Sequence, residues 1–191
     1  MRKQGFTLIE VIVVIGIVSL AMGAMLTFLI TSRSAVDFSE ARLQATEYAQ
    51  RAMAQIVKEL RLSNPFNVCI THNMGWIPEA RPGEVINFQI PVGIYGTLDL
   101  DYDNWLKWGT EDTEGHFIAY SVNGSSQLLR STYGATDASD AVSRVITPHI
   151  SSITFNRDDS SSDLIHIEIT AQMQSPRLIR YTLESDVKLR N

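Results

Sequence analysis

The chain opens with a long run of apolar residues that contains one charged side chain. From Phe6 to Ile30, that charge is Glu10. A helix rises about 1.5 Å per residue, so the run would be roughly 37 Å long, enough to cross a hydrocarbon core of about 30 Å with some tilt. A carboxylate near one end of such a run costs free energy in a membrane. Its presence there indicates a partner.

A different helical pattern follows the apolar run. The segment from Ser34 to Leu62 contains no Gly and no Pro, and apolar residues recur in it every three or four positions. This spacing predicts an amphipathic helix with one apolar stripe. The stripe consists of Phe38, Ala41, Ala45, Ala49, Ala52, Met53, Ile56 and Leu60. Glu47 and Arg51 on another face have the spacing of an i,i+4 ion pair.

Asn64-Pro65 marks the predicted end of this helix, because a residue before proline disfavours helical geometry. One helix would then run from about Phe6 to Ser63. Its first half suits lipid or a bundle of similar helices, and its second half has one face for a packed domain.

Beyond Pro65 the pattern changes to alternation. Residues 66–84 have the composition of loop and turns, residues 91–116 have no clear period, and 136–143 suggest a polar loop or short helix. Asn123-Gly124 between two alternating runs predicts a hairpin. In the first predicted strand, Asn87 and Gln89 would face away from the apolar residues. The strands predicted before residue 160 are Val85–Ile90, Phe117–Val122, Gln127–Thr132 and Ile150–Phe155.

The clearest alternation comes last. Apolar residues occupy every second position from Ile165 to Ala171 and again from Ile179 to Leu183, with Gln174-Ser175-Pro176 as the connection. Two half-buried antiparallel strands with one apolar face each are expected. The sequence therefore predicts an α+β fold in which the second half of the helix packs on an antiparallel β-sheet.

Charge adds orientation and removes some function classes. The net charge is −5 with no dense basic patch, so we expect no direct nucleic-acid contact. Arg2 and Lys3 precede the apolar run and favour a cytoplasmic N-terminus, which places the chain from Thr31 onward outside the inner membrane. A secretory signal peptide cleaved near Ala21-Met22-Gly23 is an alternative, although this run is longer than the usual 7–15 apolar residues.

The segment Gly5-Phe6-Thr7-Leu8-Ile9-Glu10 resembles the class III signal of type IV pilins and pseudopilins. The resemblance implies that Gly5 is the last leader residue, cut by prepilin peptidase, and that Phe6 becomes an N-methylated N-terminus. Glu10 would pair with the amino terminus of a neighbouring subunit. The other implied partners are sibling pilins or pseudopilins, which contact the N-terminal helix, and the inner-membrane assembly platform.

This resemblance divides the chain into a leader at 1–5, a transmembrane helix part at 6–30, an amphipathic helix part at 31–64 and an extracytoplasmic β-rich domain at 65–191. The segment Ile150–Phe155 and the two strands after it resemble minor pilins and J-type minor pseudopilins of type II secretion. Many major pilins have a proline within the helix and a C-terminal disulfide. This chain has no proline before Pro65, and Cys69 is its single cysteine, so a minor subunit is favoured.

Other candidate sites are weaker. Asp99, Asp101 and Asp103 alternate as in a calcium loop, but Asn104 stands where that loop needs glycine and Thr110 where it needs glutamate. A solvated acidic loop is the alternative, and no cofactor is expected. The histidines have no ligand spacing. Four aromatic residues suggest either a recognition surface or anchors for a long loop: Trp76, Tyr102, Trp105 and Trp108.

No nucleophile motif or phosphate-binding loop occurs, so an enzyme is not expected. The sequence predicts a structural minor subunit of a type IV pilus or a type II secretion pseudopilus, in the inner membrane and then in the fibre. The alternative is an unprocessed single-pass membrane-anchored module that binds a partner outside the membrane.

Overall fold

The N-terminal helix, α1 (Leu8–Leu60), forms as one continuous element. The structure is a computed structural model that describes residues 7–71, 84–92, 107–134, 141–157, 163–174 and 177–190. Helix α1 begins and ends within three residues of the predicted bounds. Its first 33 residues, Leu8 to Glu40, are exposed on every side, and burial begins at Ala41.

The predicted apolar stripe faces the domain. Its members are buried from Ala41 onward, whereas Phe38 remains 43% exposed, so its predicted place in the packed stripe is wrong. Glu59 joins the buried face although it is charged. On the exposed side, the predicted ion pair is present, with Arg51 Nη2 2.7 Å from Glu47 Oε1.

The helix ends in turns before Pro65. The N–H groups of Leu62 and Ser63 donate to the carbonyls of Glu59 and Leu60, each at 3.0 Å. Asn64 then caps a short 3-10 turn (Pro65–Asn67) through its side chain. Ser63 is buried, and its carbonyl accepts a hydrogen bond from the Arg190 N–H at 3.0 Å. The end of the helix is thus joined to the end of the last strand.

The described residues contain three antiparallel sheets. Their strands are β1 (Val68–Thr71), β2 (Val85–Phe88), β3 (Ile90–Pro91), β4 (Trp108–Gly109), β5 (His116–Val122), β6 (Gln127–Gly134), β7 (Val142–Pro148), β8 (Ile150–Asn156), β9 (Leu164–Gln174) and β10 (Leu178–Lys188). A five-stranded sheet has the order β1-β2-β5-β6-β7, a three-stranded sheet has the order β10-β9-β8, and β3 pairs with β4.

Helix α1 packs mainly on β9 and β10, as the alternation in those strands predicts. The isoleucines Ile165, Ile167 and Ile169 are fully buried against the alanine-rich face of the helix. Small side chains on a helix let it approach a sheet closely, so the β-branched side chains fill the space between them. Strand β8 links this layer to the five-stranded sheet, because it also contacts β2, β5 and β6.

The predicted hairpin is present between β5 and β6, with Val122 opposite Leu128. The conformation of its loop differs from that of a two-residue Asn-Gly turn. The Asn123 side chain accepts hydrogen bonds from the N–H groups of Ser125 and Gln127, at 3.0 and 2.9 Å. Ser126, with φ of 56°, takes the left-handed position that closes a three-residue loop.

Three predictions for the β region are wrong. Residues 68–71 form β1 instead of loop, and residues 142 and 143 begin β7. Asn87 is buried instead of facing solvent. Its amide oxygen accepts a hydrogen bond from the Tyr133 hydroxyl at 2.8 Å, which satisfies this polar group inside the sheet. A polar residue in a strand can therefore lie on a buried face when a hydrogen-bond partner is present there.

Replacing a small residue of the apolar stripe with a larger one should destabilise the domain. We expect Ala49→Leu, at a fully buried position, to lower the free energy of unfolding by about 1–3 kcal/mol, because a larger side chain would separate the helix from the sheet. Ala54→Leu, at an exposed position, is the control and should change stability little. Thermal unfolding of both variants tests this, and equal melting temperatures would contradict the packing described.

Candidate assembly site

Glu10 lies in the first turn of α1 with its side chain exposed. Thr7 is the N-cap, and its carbonyl accepts the N–H groups of Glu10 and Val11 at 3.1 and 3.3 Å. No described side chain or backbone group bonds the Glu10 carboxylate. An acid in the first turn interacts favourably with the helix dipole, yet most of its charge remains to be neutralised. Among the described residues, Glu10 is therefore an exposed acid whose side chain has no bonding partner.

The predicted cleavage and methylation residues, Gly5 and Phe6, lie outside the described residues. The structure thus places one member of the expected pair, the Glu10 carboxylate.

The first half of α1 exposes an apolar surface on all sides. Leu8 is 82% exposed, Leu20 78% and Phe28 71%. Soluble monomers rarely expose contiguous apolar patches larger than a few hundred Å². This helix is long and apolar enough to cross a membrane. The surface is thus of the kind that lies in lipid or against other helices.

Hydroxyl groups in this segment are satisfied within the helix itself. Ser19 Oγ donates to the Ile15 carbonyl at 2.8 Å, and Thr27 Oγ1 donates to the Gly23 carbonyl at 2.9 Å. A hydroxyl without a partner would be costly in hydrocarbon. These bonds let the segment carry Ser and Thr while remaining compatible with lipid.

A buried charge cluster joins the other half of α1 to the domain. Glu59 is 1% exposed, and both of its carboxylate oxygens accept hydrogen bonds from Arg130 Nε on β6, at 3.1 and 3.0 Å. Arg130 Nη2 also donates to Glu111, and Gln55 donates to Glu59. One arginine therefore connects the helix, the five-stranded sheet and the segment after β4.

The hydrophobic pattern of the sequence did not predict this cluster. Glu59 follows Ile56 by three residues and therefore falls on the apolar stripe. A single acid at a stripe position is the signal that indicates a buried ion pair. The sequence did not indicate the partner of Glu59, because Arg130 lies on an alternating strand far away in the chain.

The electrostatics of the cluster favour its charged form. Burial by itself would lower the pKa of Arg130, but its bond with Glu111 and the charge of Glu59 raise that pKa overall. Burial also acts to raise the pKa of Glu111, yet the hydrogen bond and charge of Arg130 leave it lowered. Because the pKa of Glu111 is lowered in the folded chain, its ionised carboxylate stabilises the fold at pH values above the ordinary carboxyl pKa. This stabilisation is lost as the pH falls through the lowered pKa.

The predicted calcium residues, Asp99, Asp101 and Asp103, lie outside the described residues, as do Trp76, Tyr102 and Trp105. Trp108 is half-buried in β4, opposite Pro91. The part of the chain that the structure describes holds no cluster of three metal-ligating side chains.

Of the histidines, His72 lies outside the described residues and His116 is half-buried in β5. The His149 ring lies 5.3 Å from that of Tyr48. His166 is exposed and bonds Asp186 at 2.8 Å, which raises the pKa of His166.

The comparisons with known proteins concern the N-terminus. Residues 1–26 match the family model of the prokaryotic N-terminal methylation motif. No curated protein and no solved structure matched the chain. The motif match supports a type IV pilin-like or pseudopilin chain that prepilin peptidase processes. Together with the long apolar helix, it also supports membrane anchoring.

Removing the arginine of the buried cluster should be costly. We expect Arg130→Met to lower the free energy of unfolding by about 3–5 kcal/mol, because the buried Glu59 carboxylate would lose its cationic partner. The double variant Glu59→Leu/Arg130→Met should recover most of that loss, since it removes both charges. Denaturant unfolding of Glu59→Leu, of Arg130→Met and of the double variant measures the coupling. Purely additive effects would show that the two residues act independently.

Proposed function

We propose that this chain is a structural minor subunit of a type IV pilus or a type II secretion pseudopilus. Prepilin peptidase cuts it between Gly5 and Phe6, and the new N-terminus is methylated. The mature chain is held in the inner membrane with its domain outside, and it then enters a fibre through its N-terminal helix. It acts by assembly, without chemistry or cofactor of its own.

The observation that carries this proposal is the single helix with two kinds of surface. Its first half is apolar and exposed on all sides, and residues 1–26 match the methylation motif. Its second half buries one face in the domain. A membrane anchor alone needs only the first property. A rigid continuation into the domain fixes how that domain is displayed relative to neighbouring helices, as a fibre requires.

Glu10 and the new amino terminus would form the alignment contact. After cleavage, Phe6 carries an ammonium group that did not exist before, and a neighbour's Glu10 can accept it. Inside a bundle of apolar helices, either charge alone is far more costly than the pair. The pair therefore selects the correct axial offset between neighbouring subunits more than it adds stability.

A low-copy subunit is favoured by the absence of two features of many major pilins. Helix α1 contains no proline. Cys69 is exposed on β1 and is the one cysteine of the chain, so no internal disulfide exists.

Cleavage is tested by the mass and N-terminal sequence of the protein made together with a prepilin peptidase. We expect the mature chain to begin at N-methyl-Phe6. Gly5→Leu should block cleavage, because a subsite that accepts glycine leaves little room, whereas Gly5→Ala adds one methyl group and serves as the matched control. An intact Met1 start in the unaltered chain would favour the unprocessed anchored module instead.

Glu10→Gln should leave membrane insertion and cleavage intact and reduce incorporation into fibres by about tenfold or more, because the neighbour's ammonium would lose its counter-charge. Glu40→Gln, an exposed acid beyond the apolar run, is the control. Quantitative immunoblots of sheared fibres against membranes give the ratio. Equal fibre-to-membrane ratios for the two variants would contradict the proposed pairing of Glu10 with the neighbour's amino terminus.

A further inference from the structure

Strand β10 lies at the edge of the three-stranded sheet, with β9 on one side and no described strand on the other. It pairs with β9 over 11 residues, from Leu178 to Lys188, without a register shift. An edge of this length presents a row of backbone N–H and C=O groups that can pair with another chain. Proteins often interrupt such an edge with a bulge or a proline, and β10 contains neither.

The hydrogen bonds just beyond β10 show which of its backbone groups face the free edge. The Leu189 N–H donates to the carbonyl of Asp163, just before β9, at 2.7 Å, and the Arg190 N–H donates in the other direction to the Ser63 carbonyl at 3.0 Å. In an antiparallel pair these directions alternate from one residue to the next. No described residue bonds the backbone groups of β10 that point away from β9. They belong to Arg180, Thr182, Glu184 and Asp186.

The core side of β10 is incompletely covered at this edge. Tyr181 and Leu183 pack against the hydrophobic core but are only half-buried. On the neighbouring strand β9, which is flanked on both sides, Ile167 and Ile169 are fully buried. A strand added beside β10 would cover the remaining apolar area with its own apolar side chains.

The other face of β10 carries two charges without a partner of opposite sign among the described residues. Arg180 borders a hollow of about 400 Å³ whose other lining residues are uncharged. Glu184 lies directly opposite Glu168 on β9, and like charges in that position repel each other. The next charged residue on this strand, Asp186, is already bonded to His166 at 2.8 Å. The edge therefore offers one free cation and one free anion, four residues apart.

We propose that β10 binds an extended segment of another protein by strand addition, with a basic residue beside Glu184 and an acidic residue beside Arg180. The segment runs antiparallel to β10, which continues the pairing of the sheet. Its residue beside Arg180 then comes four positions after its residue beside Glu184. The expected order is basic, apolar, polar, apolar, acidic, with the apolar residues over Tyr181 and Leu183. This inference goes beyond the proposed function and does not depend on it, because it concerns the β-rich domain alone.

The charges by themselves would also suit a second copy of this chain. Two β10 strands paired antiparallel about Thr182 would place Arg180 of one copy beside Glu184 of the other. However, α1 and β10 run in roughly the same direction, because they pack together and their ends meet at the Ser63–Arg190 bond. The two-fold axis of such a dimer would reverse one helix relative to the other. The two apolar halves would then point in opposite directions and could not lie in one membrane, so a different protein is favoured.

The test uses the full chain in detergent micelles and two short peptides of identical composition, capped at both ends. One contains the order Lys-Val-Thr-Val-Glu and the other contains the reverse order. We expect the first peptide to bind about tenfold more tightly in fluorescence anisotropy titrations, because the reverse order places like charges beside Arg180 and Glu184. Equal affinities, tighter binding of the reverse peptide, or no binding of either would overturn the proposal.

Exchanging the two charges of the edge should reverse this preference. Arg180→Glu/Glu184→Arg keeps the net charge and should bind the reverse peptide about tenfold more tightly than the first. Glu47→Arg/Arg51→Glu makes the same exchange in an exposed ion pair of α1 and is the matched control, which should keep the original preference. Both variants should melt like the unaltered chain. An edge variant that keeps the original preference would contradict the proposed register.

Backbone pairing at the edge is tested at Thr182. Thr182→Pro removes an N–H that faces the edge and leaves the bonds to β9 in place, so the fold should remain and peptide binding should weaken about three- to tenfold. Thr182→Ala is the control, because it keeps that N–H and removes only the hydroxyl, which lies 3.0 Å from that of Thr170. Loss of the fold in Thr182→Pro would contradict the assigned direction of this N–H.

Amide hydrogen exchange measured by NMR identifies the contact directly. Exchange at Thr182 and Glu184 should slow when the first peptide binds, because their N–H groups become bonded. The amides of Tyr181 and Leu183, which already bond β9, should change little. Unchanged exchange at Thr182 and Glu184, or dimerisation of the chain in place of peptide binding, would overturn the proposal.

Discussion

An apolar helix surface cannot remain in water, and this constraint decides the arrangement of the whole chain. Residues 8–40 bury nothing within the chain, so their free energy depends on what surrounds them. The domain must therefore fold without help from that half of the helix. It does so by burying the alanine-rich face of residues 41–60 against β9 and β10, with the five-stranded sheet behind.

Two forces of different character hold the helix in the domain. Apolar packing along the stripe is non-directional and supplies most of the stabilisation. The cluster around Arg130 is directional, because its guanidinium meets Glu59 and Glu111 in fixed geometry. A buried ion pair adds little net stability over apolar residues, but it penalises alternatives in which either charge loses its partner. The Glu59–Arg130 contact therefore favours the rotational and axial position of the helix in which both charges keep their partners.

The sequence predicted the elements that have a clear local pattern of residues. The apolar stripe, the hairpin around Asn123, and strands β8, β9 and β10 each repeat over enough residues to be recognised. Strand β1 has four residues between turn signals, and the first four residues of β7 are exposed on both faces, so neither carries an alternating pattern. Glu59, Arg130 and Asn87 were missed for another reason. Their burial depends on partners brought from distant strands, which no local pattern contains.

The length of the free helix turns small angles into large displacements. From Leu8 to Ala41 the helix extends about 50 Å beyond its first buried residue. A change of only 5° in how the domain holds it would move the tip by about 4 Å, roughly three quarters of the rise of one helical turn. The angular stiffness of the Glu59–Arg130 ion pair and of the Ser63–Arg190 hydrogen bond therefore affects how accurately the far end of the helix is positioned. In this chain, the position of the first helical turn is therefore determined by contacts inside the β-rich domain.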